Sequence, residues 1–372
     1  MSPEELKKRQ SIKVIVSEAI MVLTVIITVI ILAFIVSGYW INSDFEVERQ
    51  GMLQISSIPT GADVSIDGET AWLQRTNTSK VLPVGEHTVK LTKENYDSWS
   101  KTVNITEGLL YRIHYPRLFL KEREKEKAYD AVGTTKIFVS DNHEEMLLYS
   151  GNVETLDTGI FAKSSELLTT EELDEIMPEW ILLNINSETI AGKPVERRKL
   201  YDFFKKSEPR KKDSLKDFGL ELDLTGSEEL IFSKFYDDYY LTVFDQPYIT
   251  VYKKGDEEAI LKAEISFTSE KSTLGHDGEF IIFSAGPKIA TLDMETMKVI
   301  EWSVDGETFA WFDDDMIYSI KDGELFVYDY DGLNRRLLSK NVSTRFPVII
   351  VKDKWLYYFS DDTLMREWLI PR

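Results

Sequence analysis

The sequence contains no cysteine. That excludes disulfide bonds, iron–sulfur clusters, thiolate zinc sites and a cysteine nucleophile. It fits an exported protein whose stability comes from packing alone. Histidine is scarce: His87, His114, His143 and His276 are scattered, and no two have the spacing of zinc ligands. A Gly-x-Ser-x-Gly elbow, a phosphate-binding loop and a dinucleotide fingerprint are all missing. Nothing in the chain asks for a cofactor. Positive charge is in deficit, with 44 Lys and Arg against 64 Asp and Glu, a net −20. Such a surface suits no nucleic acid, whose binders carry a basic face.

What is present begins with room for more than one core. The chain has 372 residues, 43% of them hydrophobic, which suggests two or three domains. Aromatics reach 12% and lean the expectation toward strands. Residues 19–40, AIMVLTVIITVIILAFIVSGYW, carry no charge. As a helix rising ~1.5 Å per residue they span about 33 Å, close to the ~30 Å of a bilayer core. Tyr39 and Trp40 stand at the far end, where interfacial aromatics belong. A cleaved signal peptide is the alternative; it has an apolar core of about 7–15 residues and a small-x-small site, and neither is evident. Lys7, Lys8, Arg9 and Lys13 precede the segment, whereas Asp44, Glu46 and Glu48 follow it with Arg49. The positive-inside rule then makes 1–18 a cytoplasmic tail, 19–40 a single transmembrane helix, and the rest extracytoplasmic. The expected location is therefore the cell membrane, and the outer part carries about −21.

Beyond the apolar segment the pattern changes to period two. Leu53, Ile55 and Ser57 alternate with Gln54, Ser56 and Ile58; Ala62, Val64 and Ile66 alternate with Asp63, Ser65 and Asp67. Pro59-Thr60-Gly61 supplies a turn between them, with Pro presetting φ and Gly giving a positive φ. Asp67-Gly68 is a hairpin signal. Further strands are expected at 87–92, 99–105 and 109–118. The run Pro59-Thr60-Gly61-Ala62, then Asp67-Gly68, then Pro83-Val84-Gly85-Glu86-His87, then Asn95-Tyr96 resembles the PEGA domain family. Two positions depart from that pattern: Thr60 replaces its Glu, and Asn95 replaces the Gly before Tyr96, where Asn also tolerates the left-handed region. The resemblance covers 51–118. It implies an extracytoplasmic β-module of binding or spacer type, a structural role for His87, and no reaction. The small β-sandwich is placed at 41–118.

Residues 120–130, LKEREKEKAYD, mix charges and read as a solvated linker, so 119–130 separates the sandwich from a large β domain at 131–372. There the chain repeats. Pro247-Tyr248-Ile249-Thr250-Val251-Tyr252 recurs forty residues on at 287–292, again at 323–328 and roughly at 363–368. Another apolar strand precedes each, at 239–244, 279–284, 316–320 and 355–359. Asp-Gly-Glu stands beside a strand at 277–279, 305–307 and 322–324. A period near ~40 with several strands per unit is that of propeller blades. Residues 327–337 resemble the third-to-fourth strand turn of TolB-like and WD-type propellers, although the WD signature itself is absent. Four units read from 226 onward, and 131–225 is expected to supply two or three more, with strands at 137–140, 146–149 and 180–185. The expected fold class is mainly β: one transmembrane helix, a small sandwich and a propeller of about six or seven blades. A pair of β-sandwiches is the alternative.

One insertion is not β-like. Residues 194–216 hold nine basic and four acidic residues, with Leu200, Phe203 and Phe204 at helical spacing. This predicts a basic amphipathic helix and loop. Either it is a solvated helix packing its Phe pair on the propeller, or Arg197, Arg198, Lys205, Lys206, Arg210 and Lys211 dock an acidic envelope protein or an anionic envelope polymer. Residues 164–177 predict a second, acidic surface helix. Asp313-Asp314-Asp315 and Asp329-x-Asp331-Gly332 have calcium-like carboxylates, yet neither completes a twelve-residue loop, and turn chemistry accounts for both. No metal site or catalytic residue is assigned. The chain reads as a membrane-anchored, outward-facing binding or scaffold protein and not an enzyme. The alternative is an envelope hydrolase of glycan or peptide with its site at the propeller mouth, which paired carboxylates facing a cleft would favour.

Overall fold

The computed structural model describes residues 3–36, 39–41, 47–140, 143–151, 180–195, 218, 220, 222, 228–275, 278–306 and 308–371. The described residues are mainly β with one long helix. It divides into two compact units, Met1–Leu118 and Phe119–Arg372.

Helix α1 runs Pro3–Val36. Its stretch Val16–Ala33 has a mean hydropathy of 2.6 and is long and apolar enough to cross a membrane. The hydroxyls of Thr24 and Thr28 donate to the carbonyls of Ile20 and Thr24, each at 2.8 Å. They are therefore satisfied without water, as a lipid environment requires. Two boundaries differ from expectation. Much of the 1–18 tail is continuous with the helix, and Tyr39 and Trp40 lie in strand β1 (Tyr39–Ile41) instead. Gly38 disfavours helix, and the aromatic pair that follows favours strand.

The remaining strands of the small unit are β2 (Val47–Ile55), β3 (Asp63–Ile66), β4 (Glu69–Arg75), β5 (Thr78–Pro83), β6 (Gly85–Thr92), β7 (Trp99–Ile105) and β8 (Leu110–Ile113). They form two four-stranded sheets. In one, β2 pairs with β1, β5 and β8; the other has the order β4-β3-β6-β7. The alternation places its apolar set inward: Leu53, Ile55, Ala62, Val64 and Ile66 are buried. Each of the Leu, Ile and Val side chains stabilises by about 1.5–3 kcal/mol. Asp67 (φ 54°) and Gly68 (φ 83°) make the two-residue hairpin between Ile66 and Glu69. Asn95, standing where the PEGA pattern has Gly, adopts φ 66°.

The large unit opens with β9 (Lys125–Asp130). Five sheets account for its strands, and every pairing within them is antiparallel. The first is β10 (Lys136–Val139), β11 (Glu145–Tyr149), β12 (Trp180–Asn184) and β13 (Lys193–Pro194). The second is β14 (Glu229–Phe235), β15 (Asp238–Asp245), β16 (Tyr248–Lys253) and β17 (Leu261–Glu264). The third is β18 (Lys271–Leu274), β19 (Phe280–Ala285), β20 (Lys288–Asp293) and β21 (Lys298–Ser303). The fourth is β22 (Thr308–Trp311), β23 (Met316–Lys321), β24 (Glu324–Asp329) and β25 (Arg336–Lys340). The fifth is β26 (Ile349–Val351), β27 (Trp355–Ser360) and β28 (Thr363–Trp368), completed at its edge by β9.

Middle strands of the third, fourth and fifth sheets are buried on both faces because each of these sheets packs between two others. Ile281 and Phe283 of β19 join the second sheet's Phe244, Ile249 and Val251 in one core. Ile282, between them in sequence, turns the other way to Ile317 and Phe326 of the fourth sheet. The fourth sheet's Tyr318 and Leu325 meet the fifth sheet's Leu356 and Tyr358. The fifth sheet's Tyr357 and Phe359 meet Met146, Leu148 and Leu183 of the first. At Gly332 (φ 80°) an added Cβ would stand 2.6 Å from Trp302, so the β24–β25 turn lies tight against the third sheet.

Two expectations are corrected here. Residues 125–130 are not linker but the outermost strand of the fifth sheet. Their alternating charges face solvent while the backbone pairs with β28. The strands expected at 137–140, 146–149 and 180–185 belong to one sheet, not to two or three. The described residues thus hold five four-stranded sheets in the large unit against the expected six or seven. The predicted helices at 164–177 and 194–216 fall almost wholly outside the described residues.

Candidate functional site

A cleft of about 490 Å³ lies between the third and fourth sheets. One wall is a single face of the β18–β19 pair: Lys271 is opposite Ser284, and Thr273 opposite Ile282. The other wall is β22, from Thr308 through Phe309 and Ala310 to Trp311, with Gly306 just before it. The Gly286-Pro287 turn between β19 and β20 completes the lining with Glu270. Strands β18 and β22 are the terminal strands of their sheets, each paired on one side only. The volume falls within the ~300–1,000 Å³ of small-molecule and side-chain pockets.

The chemistry of the lining is apolar and aromatic with a polar rim. Phe309 and Trp311 pack against the Ile282, Ile289 and Ile317 core. The Trp311 indole N–H is buried and has no acceptor among the described residues; an unmet buried donor costs about 1–3 kcal/mol. The Ser284 hydroxyl is committed, donating to the Lys271 carbonyl at 3.3 Å. Glu270 is the carboxylate among the lining residues. Asp305, next to Gly306, is engaged elsewhere: Lys321 donates to it at 2.7 Å, and Arg335 lies 3.7 Å away. The Lys321 hydrogen bond holds the Asp305 carboxyl below the ordinary carboxylate value.

None of the described candidate site residues lines this cleft. Arg197, Arg198, Lys205, Lys206, Arg210 and Lys211 lie outside the described residues, as does His276. The aspartate clusters serve turns. Asp313 accepts from the N–H of Asp315 at 3.0 Å, Asp331 from that of Leu333 at 3.1 Å, and Asp329 from the Asn334 amide at 2.8 Å. That last turn joins β24 to β25, the third and fourth strands of its sheet, as the 327–337 pattern implied. His87 serves structure as expected: Nδ1 lies 2.6 Å from Asp67 and Nε2 2.9 Å from the Pro83 carbonyl. The cleft residues were missed because β18 and β22 are only four residues long; the Phe309-x-Trp311 alternation was the available signal.

Residues 50–117 match the PEGA domain family. No curated protein matches the chain. Among solved structures, the chain is similar to Hsv2 of Kluyvelomyces marxianus at 10% identity, with 63% of this chain covering 61% of that one and a TM-score of 0.28. A functionally unknown protein from Desulfotomaculum acetoxidans is 8% identical over 74% of this chain and 69% of its own, at 0.26. The N-terminal domain of Nup159 is 11% identical over 36% and 42%, at 0.23. Likenesses this slight assign neither a fold nor an activity.

Proposed function

We propose that this chain is a single-pass membrane protein that displays a β-propeller outside the cell as a binding or scaffold module, with the PEGA-like unit beside the membrane. Helix α1 supports the anchor, and the basic residues before its apolar stretch support a cytoplasmic N-terminus. The propeller reading is supported by the succession of packed sheets, second to third to fourth to fifth to first. Completion of the last sheet by β9, which precedes the first in sequence, is the strand exchange that closes such rings. Between β13 and β14 the chain has length for a further blade.

The observation that carries the binding role is the cleft between β18 and β22. In a propeller the first strand of each sheet lines the axis, so the cleft opens on the central mouth. Its aromatic wall offers area for a side chain or ring, while Lys271 and Glu270 orient a polar group. Glycan hydrolysis, the alternative, asks for two carboxylates converging on a cleft; among the described lining residues Glu270 is one carboxylate, and the neighbouring Asp305 is tied to Lys321. The partners proposed are other envelope proteins or an anionic envelope polymer.

Two measurements test this reading. Protease added to intact cells should digest the chain beyond residue 41 and spare the start of α1; protection of the large unit overturns the topology. Ala310→Arg, which fills the cleft from an exposed position, should abolish crosslinking from a photoreactive group at Pro287 to envelope material without lowering the Tm. Unchanged crosslinking overturns the cleft as the binding site.

A further inference from the structure

The sheet built on β2 is packed on one face and apolar on the other. Pairing sets Met52 opposite Val81 on one side and opposite Leu110 on the other. These three are 43%, 50% and 39% exposed, whereas Leu53 and Leu82, pointing inward beside them, are buried. The row is therefore the second face of an ordered sheet and not a frayed edge. Leu109, whose carbonyl accepts from the N–H of Met52 at 2.9 Å, extends it at 61% exposure. Val84, whose N–H donates to the Arg49 carbonyl at 3.1 Å, extends it at 46%. Single exposed apolar residues need no explanation, but a contiguous row marks an interaction surface.

Charge and tether say what covers it. The outward positions of the three strands around this row are Gln50, Met52, Gln54, Ser79, Val81, Pro83, Leu110 and Arg112. Among the described side chains these positions hold one cation and no carboxylate, in a chain of net charge −20; the strand's Glu48 stands two residues before Gln50. The row is also tied closely to α1. Strand β1 starts three residues after Val36, and Tyr39 pairs with Arg49, three residues before Met52. Those two three-residue steps, at no more than ~3.6 Å per residue, and one strand spacing of about 5 Å place Met52 within roughly 27 Å of the helix end.

We propose that this face lies against the lipid headgroup layer of the membrane that α1 crosses. The Val81–Met52–Leu110 row enters the boundary between headgroups and acyl chains. The small unit is then a foot held flat on the bilayer as well as a spacer. This rests on the reading of α1 as a membrane anchor.

The absence of cysteine makes the test clean. Single variants Val29→Cys, Gln54→Cys and Thr102→Cys of the full chain are labelled with an environment-sensitive fluorophore. They are then reconstituted in phosphatidylcholine–phosphatidylglycerol vesicles containing lipids brominated either near the headgroup or near the chain end. Position 29, inside α1, reports the anchor. Position 54, beside the row, reports the docked face, and position 102, exposed on the other sheet, reports bulk solvent. The expected pattern is deep quenching at 29, shallow quenching only at 54, and none at 102. Adding Met52→Ser and Leu110→Ser should cut quenching at 54 by about half or more, since interfacial binding scales with buried apolar area. Quenching at 29 with none at 54 overturns the docking and leaves the anchor standing. Absence of quenching at 29 overturns the anchor and the docking with it. If 54 is shielded in proportion to protein density but is not quenched by brominated lipid, the face covers a second copy and the proposal fails.

Discussion

The Asp67 carboxylate faces the imidazole of His87 across the β3–β6 pair, with Oδ2 2.6 Å from Nδ1. Its second oxygen accepts from the N–H of Thr88 at 2.8 Å. The far side of the ring meets the Pro83 carbonyl, with Nε2 2.9 Å from its oxygen. Asp67 itself is a turn residue at φ 54°. One side chain thus ties the Asp-Gly hairpin to the segment that carries the family's His.

This pair sets an acid limit for the small unit. The hydrogen bond from His87, then that from Thr88, hold the Asp67 carboxyl below its ordinary value. A carboxyl whose folded pKa is depressed contributes its stability above the unfolded value of about 3.9, and loses it as pH falls through the folded value. Melts of the full chain between neutral pH and pH values below the ordinary carboxylate range should show this loss. Asp67→Asn keeps the tolerance for positive φ and should flatten that part of the profile. An unchanged acid slope in the variant would remove Asp67 from the account.

A second expectation follows from the edge of the fifth sheet. Because 125–130 is a strand, a fragment of 119–372 should unfold cooperatively, whereas 131–372 should be molten or aggregate through the bare edge of β28. Urea unfolding followed by tryptophan fluorescence separates the two. Equal midpoints would restore the linker reading.

The third concerns Arg366, whose side chain is almost fully buried. It donates to Glu126 of β9, to Ser187 O at 2.8 Å and to Glu188 O at 2.6 Å. Arg366→Met leaves those acceptors unmet and should cost about 3–5 kcal/mol, the range for breaking a buried pair. Arg366→Lys keeps the charge without the fork and should cost about 2 kcal/mol. Glu126→Gln keeps an acceptor but leaves the buried Arg366 cation without its carboxylate, and should cost about 1–2 kcal/mol. Denaturant midpoints in that order support the lacing of β9 to β28; a Met variant as stable as the parent sinks it.

The basic insertion yields a fourth. If the segment docks a partner through solvent-facing charges, replacing Arg197, Arg198, Lys205, Lys206, Arg210 and Lys211 by Gln should leave the Tm almost unchanged, because such charges contribute little to stability. The same change should weaken association with anionic envelope material, and rising salt should mimic it in the parent. Equal binding by both at low salt would reduce the segment to a solvated helix.

What the sequence disclosed depended on how each strand is buried. The expected strands at 239–244, 279–284, 316–320 and 355–359 are β15, β19, β23 and β27, and their partners are β16, β20, β24 and β28. These central strands pack on both faces, so they read as unbroken apolar runs. Edge strands left no such trace. LKAE (β17), KSTL (β18) and KEKAYD (β9) are short or charged, and they pair through backbone groups that any residue supplies. The cleft was hidden for the same reason, since its walls include β18 and β22. The small unit was legible at single residues, because Gly61, Asp67, Gly68 and Asn95 all take the positive φ that their turns demand.

The pairing of β9 with β28 spans almost the whole large unit, with Glu126 and Arg366 separated by 240 residues. A ribosome releases β9 first and β28 last. The opening strand must wait, unpaired, while every intervening sheet is made. A chain cut short anywhere before residue 363 has no partner for it and leaves the fifth sheet unfinished. Completion of the fifth sheet therefore doubles as a check that synthesis has passed β28: only then does β9 have a place to go.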